Sequence, residues 1–267
     1  MKPVLDIDFV DKVLADFFKK ETLTNNYILR EEYANLIESQ ALWYDQLGEN
    51  IFFYVRKDGF FRLYYFINEP DIVYNLSYDE PIVLEILYRG EKYFPTIHQK
   101  YWSAASFKSH LTRDCYFLKN TALNVEDLGL SLEIKKGKSL EEIRYAKELI
   151  DSNLDRFTGD HLSMEEVATF AENGFLYLAY FDGNPCGILQ ADFKNAVFWL
   201  GHVVVDMNYR GKGVANSLVN YYLKEGSALG CKQFQLWVIQ DNTPAVNLYK
   251  KFGFTYLNKS SYSMLKK

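Results

Sequence analysis

Val203-Val-Val-Asp-Met-Asn-Tyr-Arg210-Gly211-Lys212-Gly213-Val214-Ala215 reads as a buried strand, an exposed turn, a glycine loop and the first turn of a helix. The helix is carried by Val214, Ala215, Leu218, Val219, Tyr222 and Leu223, which share one face at helical spacing. The amides from Gly211 to Ala215 lie at its N-terminus without intrahelical acceptors, so N–H groups and helix dipole together favour an anion such as phosphate. Small residues let the backbone approach that anion, and Arg210 adds a fixed positive charge. Two other phosphate loops do not fit. A Walker loop needs Ser or Thr after Gly-Lys, where this chain has Gly213, and a dinucleotide fingerprint needs a third small residue where it has Asn216.

A second informative stretch is Asn242-Thr-Pro-Ala245-Val-Asn-Leu248-Tyr249-Lys-Lys-Phe-Gly253-Phe254. Thr243 is placed to cap a helix whose first residue is Pro244, and Ala245, Tyr249 and Phe252 then share a face. Arg210-x-x-Gly213-x-Ala215 resembles the (Gln/Arg)-x-x-Gly-x-(Gly/Ala) loop of the GNAT superfamily of acyl-CoA-dependent N-acyltransferases, and the second stretch resembles that family's second block. A helix and the strand Gln233 to Ile239 separate the two, and the resemblance covers about residues 130 to 267.

The resemblance implies acetyl-CoA as acyl donor and a direct attack by a neutral amine on the thioester. It implies a pantetheine arm inserted between the strand ending at Val205 and the strand Gln233 to Ile239, pairing with the backbone of Val203 and Val205. Arg210, Gly211, Lys212, Gly213, Val214 and Ala215 would form the pyrophosphate site, and Asn242 would contact the cofactor. Tyr249 matches the family's tyrosine acid, against the alternative of a core tyrosine packed behind the cofactor. The base stays open. Several family members carry Glu or His on the strand before the loop, where this chain has Gly201; His202 is one residue along and faces the other way unless a bulge rotates it. A core histidine and deprotonation through water are the alternatives to His202 as base. His98, His110 and His161 have no partners at ligand spacing, so no metal is expected.

The rest of the chain reads as two halves with the same opening and ending. Helical stripes at Asp8 to Lys19 and Arg30 to Leu42 open the first half; capping boxes at Ser139 with Glu142 and Ser163 with Glu166 open a helical pair in the second. Hairpins turning at Asp58-Gly59 and Asp182-Gly183 follow, 124 residues apart, and Phe107 to Leu118 lies over Phe254 to Leu265 at an offset of 147. Lys119 to Asp127 is the expected connector, and Leu128, Leu130, Leu132 and Ile134 alternate as the next strand. Tyr88-Arg89-Gly90 reads as a trace of Tyr209-Arg210-Gly211, unusable because Glu91, Lys92 and Phe94 replace Lys212, Gly213 and Ala215. The expected fold class is therefore α/β with a mixed sheet. Two GNAT-like acyl-CoA N-acyltransferase folds would stand in tandem, a truncated, degenerate domain at 1–124 and an N-acetyltransferase domain at 125–267.

The 267 residues are 48% hydrophobic and 24% charged, which excludes a disordered or fibrous chain. A net charge of −5 and a pI near 5.5 count against nucleic-acid binding, and no apolar run is long enough to span a bilayer. Three cysteines at no metal-like spacing, with no secretory apolar core in Met1 to Val10, point to the cytoplasm. The 45 aromatic residues read as strands and core. The expected acceptor is a small-molecule or peptide amine, with Asp155, Asp160 and His161 of the loop Asn153 to Ser163 favouring an ammonium-bearing one, and the expected assembly is a monomer or homodimer. Two rivals are a catalytically weak CoA-binding sensor or pseudoenzyme, and an aminoacyl-tRNA-using ligase with paired GNAT-like halves, which the acidic balance disfavours.

Overall fold

The computed structural model describes residues 1–17, 22–74, 78–122, 132–158 and 161–267. The chain forms two compact units, one of Met1–Thr112 with Ser260–Lys267 and one of Arg113–Lys259. In chain order the elements are β1 (Lys2–Pro3), α1 (Ile7–Phe17), β2 (Leu23–Thr24), α2 (Arg30–Glu38), β3 (Leu42–Leu47), β4 (Asn50–Lys57), β5 (Phe60–Ile67), β6 (Ile82–Tyr88), α3 (Thr96–Ala104) and β7 (Lys108–Lys119). They continue with β8 (Glu133–Lys136), α4 (Leu140–Asn153), α5 (Met164–Glu172), β9 (Leu176–Phe181), β10 (Asn184–Lys194), β11 (Val197–Val205), α6 (Val214–Ala228), β12 (Gln233–Ile239), α7 (Thr243–Lys251) and β13 (Thr255–Lys266).

In the second unit β8, β9, β10 and β11 pair antiparallel in that order, β11 pairs with β12 in parallel, and β12 pairs antiparallel with Arg113–Lys119 of β7. Helices cover both faces, as a sheet apolar on both sides requires. Leu218, Val219, Tyr222 and Leu223 of α6 pack on Tyr177, Leu189, Phe198 and Leu236, while Ile143, Ala146 and Ile150 of α4 and Val167 of α5 pack on Leu178, Ile188 and Val204.

The first unit repeats this order of elements: β1, β3, β4 and β5 are antiparallel, β5 and β6 are parallel, and β6 pairs antiparallel with Ser260–Lys266 of β13. The expected offset of 147 holds for both terminal elements, since α3 and α7 begin at 96 and 243 and β7 and β13 at 108 and 255. The hairpin register does not hold. The strand that pairs in parallel with the next is β5 in one unit and β11 in the other, so the turn at Asp58-Gly59 corresponds to the turn between β10 and β11 and not to Asp182-Gly183. The same shift removes the expected trace of the loop, because Tyr88 ends β6, the counterpart of β12. The connection from β5 to β6 has 14 residues where that from β11 to β12 has 27 and contains α6. Aromatic side chains occupy that face of the first unit: Tyr74, from this short connection, stacks on Phe52 at 4.5 Å, and Trp102 of α3 is fully buried against it.

Other local expectations shift for identifiable reasons. The second helix stops at Glu38, and Leu42 begins β3 instead of ending the helix. Leu128, Leu130 and most of the connector lie outside the described residues, whereas Ile134 is in β8 as expected. The capping boxes of α4 and α5 form as read, with Glu142 N donating to Ser139 Oγ at 3.2 Å and Glu166 N to Ser163 Oγ at 3.1 Å. Burial acts to raise the Glu142 pKa, but bonds from the Lys138 and Ser139 amides and the Tyr180 and Ser139 hydroxyls outweigh it and hold the carboxyl down at about 2. A depressed carboxyl stabilises the fold above its ordinary pKa of 4.5 and loses that contribution as pH falls through about 2. Urea titrations should therefore find Ser139→Ala destabilised by about 1 kcal/mol at neutral pH. The gap between Glu142→Ala and the unaltered chain should close as pH falls from about 4.5 to about 2.

Candidate active site

The parallel ladder between β11 and β12 runs only from Val197–Gln233 to Leu200–Leu236. Beyond it, residues 202–205 still pair with β10 on one side but no longer with β12 on the other. A cavity of about 270 Å³ lies in this divergence. Its lining includes Gly201, His202 and Val203 from β11, Trp237 from β12, and Asn242 and Tyr249 at α7, together with Trp199, Leu154 and Arg113.

His202 and Tyr249, candidates separated by 47 residues, thus both line the cavity. A bulge sets which residue His202 faces. Gln190 faces His202 across the β10–β11 ladder while Ala191 faces Leu200, so Gly201 is the extra residue. His202 Nδ1 lies 2.8 Å from Gln190 Oε1. Tyr249 is 6% exposed, and burial pushes its pKa up, so the phenol holds its proton at neutral pH. Asn242, not Thr243, caps α7: the helix begins one residue earlier than expected, and Ala245 N donates to Asn242 Oδ1 at 3.3 Å. That leaves the Asn242 amide NH₂ for a ligand.

The glycine loop lies past the end of β11 and contributes no residue to the cavity wall. Gly211 and Gly213 have φ of 78° and 80°, the left-handed region that only glycine enters cheaply. Gly213 is the N-cap of α6 and supplies no side chain to it, whereas Ser139, Ser163 and Asn242 cap α4, α5 and α7. The first amides of α6, at Val214 and Ala215, are therefore left for an external acceptor. The Val214 side chain is buried in the core, so it can serve a ligand only through its backbone. Arg210 holds the loop in place, its Nε donating to Val205 O at 3.2 Å and its guanidinium to Asn153 Oδ1 at 2.6 Å. Lys212 lies over the rings of Tyr209 and Phe181 at 5.0 and 5.4 Å. A long, narrow ligand with an anionic group beyond an extended arm matches this divergence and loop.

Of the acidic loop, Asp155 and His161 lie among the described residues. Asp155 accepts from the amides of Phe157 and Thr158, closing its own turn, and His161 bonds Leu154 O and faces Asp151. Asp160 lies outside the described residues. Sequence reading missed Gln190, although a lone amide inside the apolar run Gly187-Ile-Leu-Gln190-Ala was a signal, and it missed Trp199, Trp237 and Arg113, which carry none. Among the described residues no group of three or more His, Cys, Asp and Glu stands together as a metal ion would need, and no helix is long and apolar enough to cross a bilayer.

The corresponding divergence in the first unit is filled from within. The ladder between β5 and β6 ends at Leu63–Leu84, and β2 takes the vacated edge, pairing Leu23 with Ile67 and Thr24 with Phe66. The Asn25 amide then bridges the two strands, donating to Leu63 O and Glu85 O at 3.0 Å each and accepting from Tyr65 N at 2.9 Å. At the place of Tyr249, 147 residues earlier, stands Trp102.

Residues 143–254 match the acetyltransferase (GNAT) family. The chain is 26% identical to an uncharacterized N-acetyltransferase of Methanocaldococcus jannaschii, over 64% of this chain and 80% of that protein. It is 30% identical to a streptothricin acetyltransferase of Escherichia coli over 40% of this chain, and 32% identical to a spermine/spermidine N(1)-acetyltransferase of Bacillus subtilis over 29% of it. It spans 61% and 57% of the lengths of these two. Among solved structures, a GCN5-related N-acetyltransferase from Sphaerobacter thermophilus shares the fold with a TM-score of 0.62 at 12% identity, over 90% of this chain and 86% of that one. A GNAT-family acetyltransferase from Colwellia psychrerythraea aligns over 100% of this chain and 99% of its own, with a TM-score of 0.56 at 13% identity.

The Asn25 bridge makes a direct expectation. Asn25→Ala strands two buried carbonyls and one amide, and should lower the unfolding free energy by roughly 2–3 kcal/mol, read by denaturant titration.

Proposed function

Starting from a GNAT-type acyltransferase over residues 143–254, we propose that the second unit transfers the acetyl group of acetyl-CoA to a primary amine by direct attack, at the divergence of β11 and β12. The observation that carries this is the coincidence of three features: an unpaired stretch of β11, an α6 N-terminus without a side-chain cap, and a cavity lined by both His202 and Tyr249. Acetyl-CoA would supply a thioester carbonyl open to attack. The chain would hold it through the backbone of Val203 and Val205, the amides of Gly213, Val214 and Ala215, the charges of Arg210 and Lys212, and the amide of Asn242. Of these, Val205 has one group already engaged, its carbonyl accepting from Arg210, so its contribution would come from the amide.

The proton traffic follows from the two titratable groups. A C–N bond forms as the C–S bond breaks; His202 takes the proton released by the amine, and Tyr249 gives its proton to the departing thiolate. Burial keeps the phenol in its proton-bearing form, the form that a donor to the departing thiolate needs. The acceptor is an amine, as in the spermine and streptothricin acetyltransferases that the chain resembles over part of their lengths. Among the described residues of the cavity wall none is acidic, so the wall itself offers no counter-charge to a polycation.

We infer further that the first unit is a degenerate GNAT-like half. Its shared order of elements, the loss of the helix after the parallel strand, the Asn25 bridge and Trp102 in place of a tyrosine all support that reading.

Calorimetric titration of acetyl-CoA should give one site per chain, lost in Gly213→Glu, which puts bulk and negative charge among the loop amides at a left-handed position. Two sites would refute the degenerate reading, and no binding would refute the acetyltransferase. With an amine found by screening, Tyr249→Phe should lower kcat by about 100-fold while the Kd for acetyl-CoA changes little. An unchanged kcat would leave Tyr249 a packing residue.

A further inference from the structure

Gln190 is 4% exposed and His202 8%, and the two face each other across the bulge at Gly201. The amide of Gln190 has two chemically different ends, and its surroundings identify them. Nε2 lies 2.8 Å from Ala191 O, a carbonyl that can only accept, so this end is the donor. The end facing His202 Nδ1 at 2.8 Å is then Oε1, which also only accepts, so Nδ1 must carry the proton. A neutral imidazole protonated at Nδ1 keeps its acceptor lone pair at Nε2. The opposite tautomer would set two lone pairs against each other at a dry site, where an unmade hydrogen bond is costly.

Gly201 is what admits this arrangement. A Cβ added there would stand 1.9 Å from Gln190 Oε1 and 2.9 Å from its Cδ, so any other residue would push the amide out of its place. The position whose lack of a side chain leaves the strand without a base is therefore the position that makes room for the group behind His202.

We propose that Gln190 is a positioning residue that locks His202 in the Nδ1–H tautomer, making Nε2 the nitrogen able to take the acceptor's proton, and that Gly201 is the glycine this pair requires. The proposal rests on His202 being the base. A carboxylate in place of Gln190 would also orient the ring but would favour its charged form; the neutral amide orients it without adding a counter-charge. The other titratable or charged groups of the cavity wall, among the described residues, are Arg113 on β7 and Tyr249 on α7, and neither is the group bonded to Nδ1.

The test is ¹⁵N spectroscopy of the full chain labelled at histidine, with His202 assigned by its loss in His202→Gln, alongside the pH profile of kcat/KM for an amine found by screening. The neutral His202 should show a protonated Nδ1 and an unprotonated Nε2. The near-isosteric Gln190→Glu should raise the His202 titration midpoint by about 1 pH unit or more and move the acid limb of kcat/KM with it. Gln190→Leu and Gly201→Ala should each lose the single tautomer and about tenfold in kcat, with KM for acetyl-CoA changed less than twofold. A protonated Nε2 in the unaltered chain, or an unmoved midpoint in Gln190→Glu, would overturn the proposal; if either of the other variants fails to fold, these two readings still decide it. Full activity in His202→Gln would instead overturn His202 as base, while the tautomer spectrum would still report on Gln190.

Discussion

Two parallel strands that stop pairing partway along their length leave backbone donors and acceptors that water reaches poorly, and something must satisfy them. This happens twice in the chain, after Leu200–Leu236 and after Leu63–Leu84. In the first unit the chain satisfies itself, through β2 and the amide of Asn25. In the second no strand among the described residues takes that edge, and the ladder opens into a cavity beside a helix whose first amides have no side-chain cap. The difference between a self-filled divergence and an open one separates the inert reading of the first unit from the catalytic reading of the second.

The same constraint explains what could be read in the residues. The loop Arg210 to Ala215 and the helix after it were legible because glycines at a strand-to-helix joint and a helical apolar stripe are local features, and the structure gives both. The capping boxes at Ser139 and Ser163 were legible for the same reason. The hairpin register was not, because two apolar hairpins with Asp-Gly turns look alike in sequence, and only the parallel partner of each strand tells which hairpin is which. The helix start at α7 moved by one residue because Asn242 and Thr243 can both cap, and local sequence does not choose between them. Asn25 gave no signal at all, since a bridge between two strands depends on residues 38 and 60 positions away.

The site itself was legible by residue type and not by geometry. Strict strand alternation set His202 opposite the position of Gly201, and the bulge changes that: His202 pairs with Gln190 on the face where Ile188 and Val204 pack, and both it and Tyr249 line the cavity. A glycine that looked like a missing base is where the strand gains its extra residue and where the Gln190 amide fits behind the imidazole. The aromatic richness of the chain is a matter of packing in the first unit, where Phe52, Tyr54, Tyr65 and Trp102 fill the sheet face that α6 covers in the second.

The most direct measurement is a crystal structure of the full chain grown with CoA. One molecule per chain is expected, its pantetheine arm along Val203 to Val205 in the divergence of β11 and β12, and its pyrophosphate on the amides that begin α6. A molecule in the divergence of β5 and β6, with Asn25 displaced, or one bound away from the glycine loop, would contradict the division of the chain into one open and one self-filled unit.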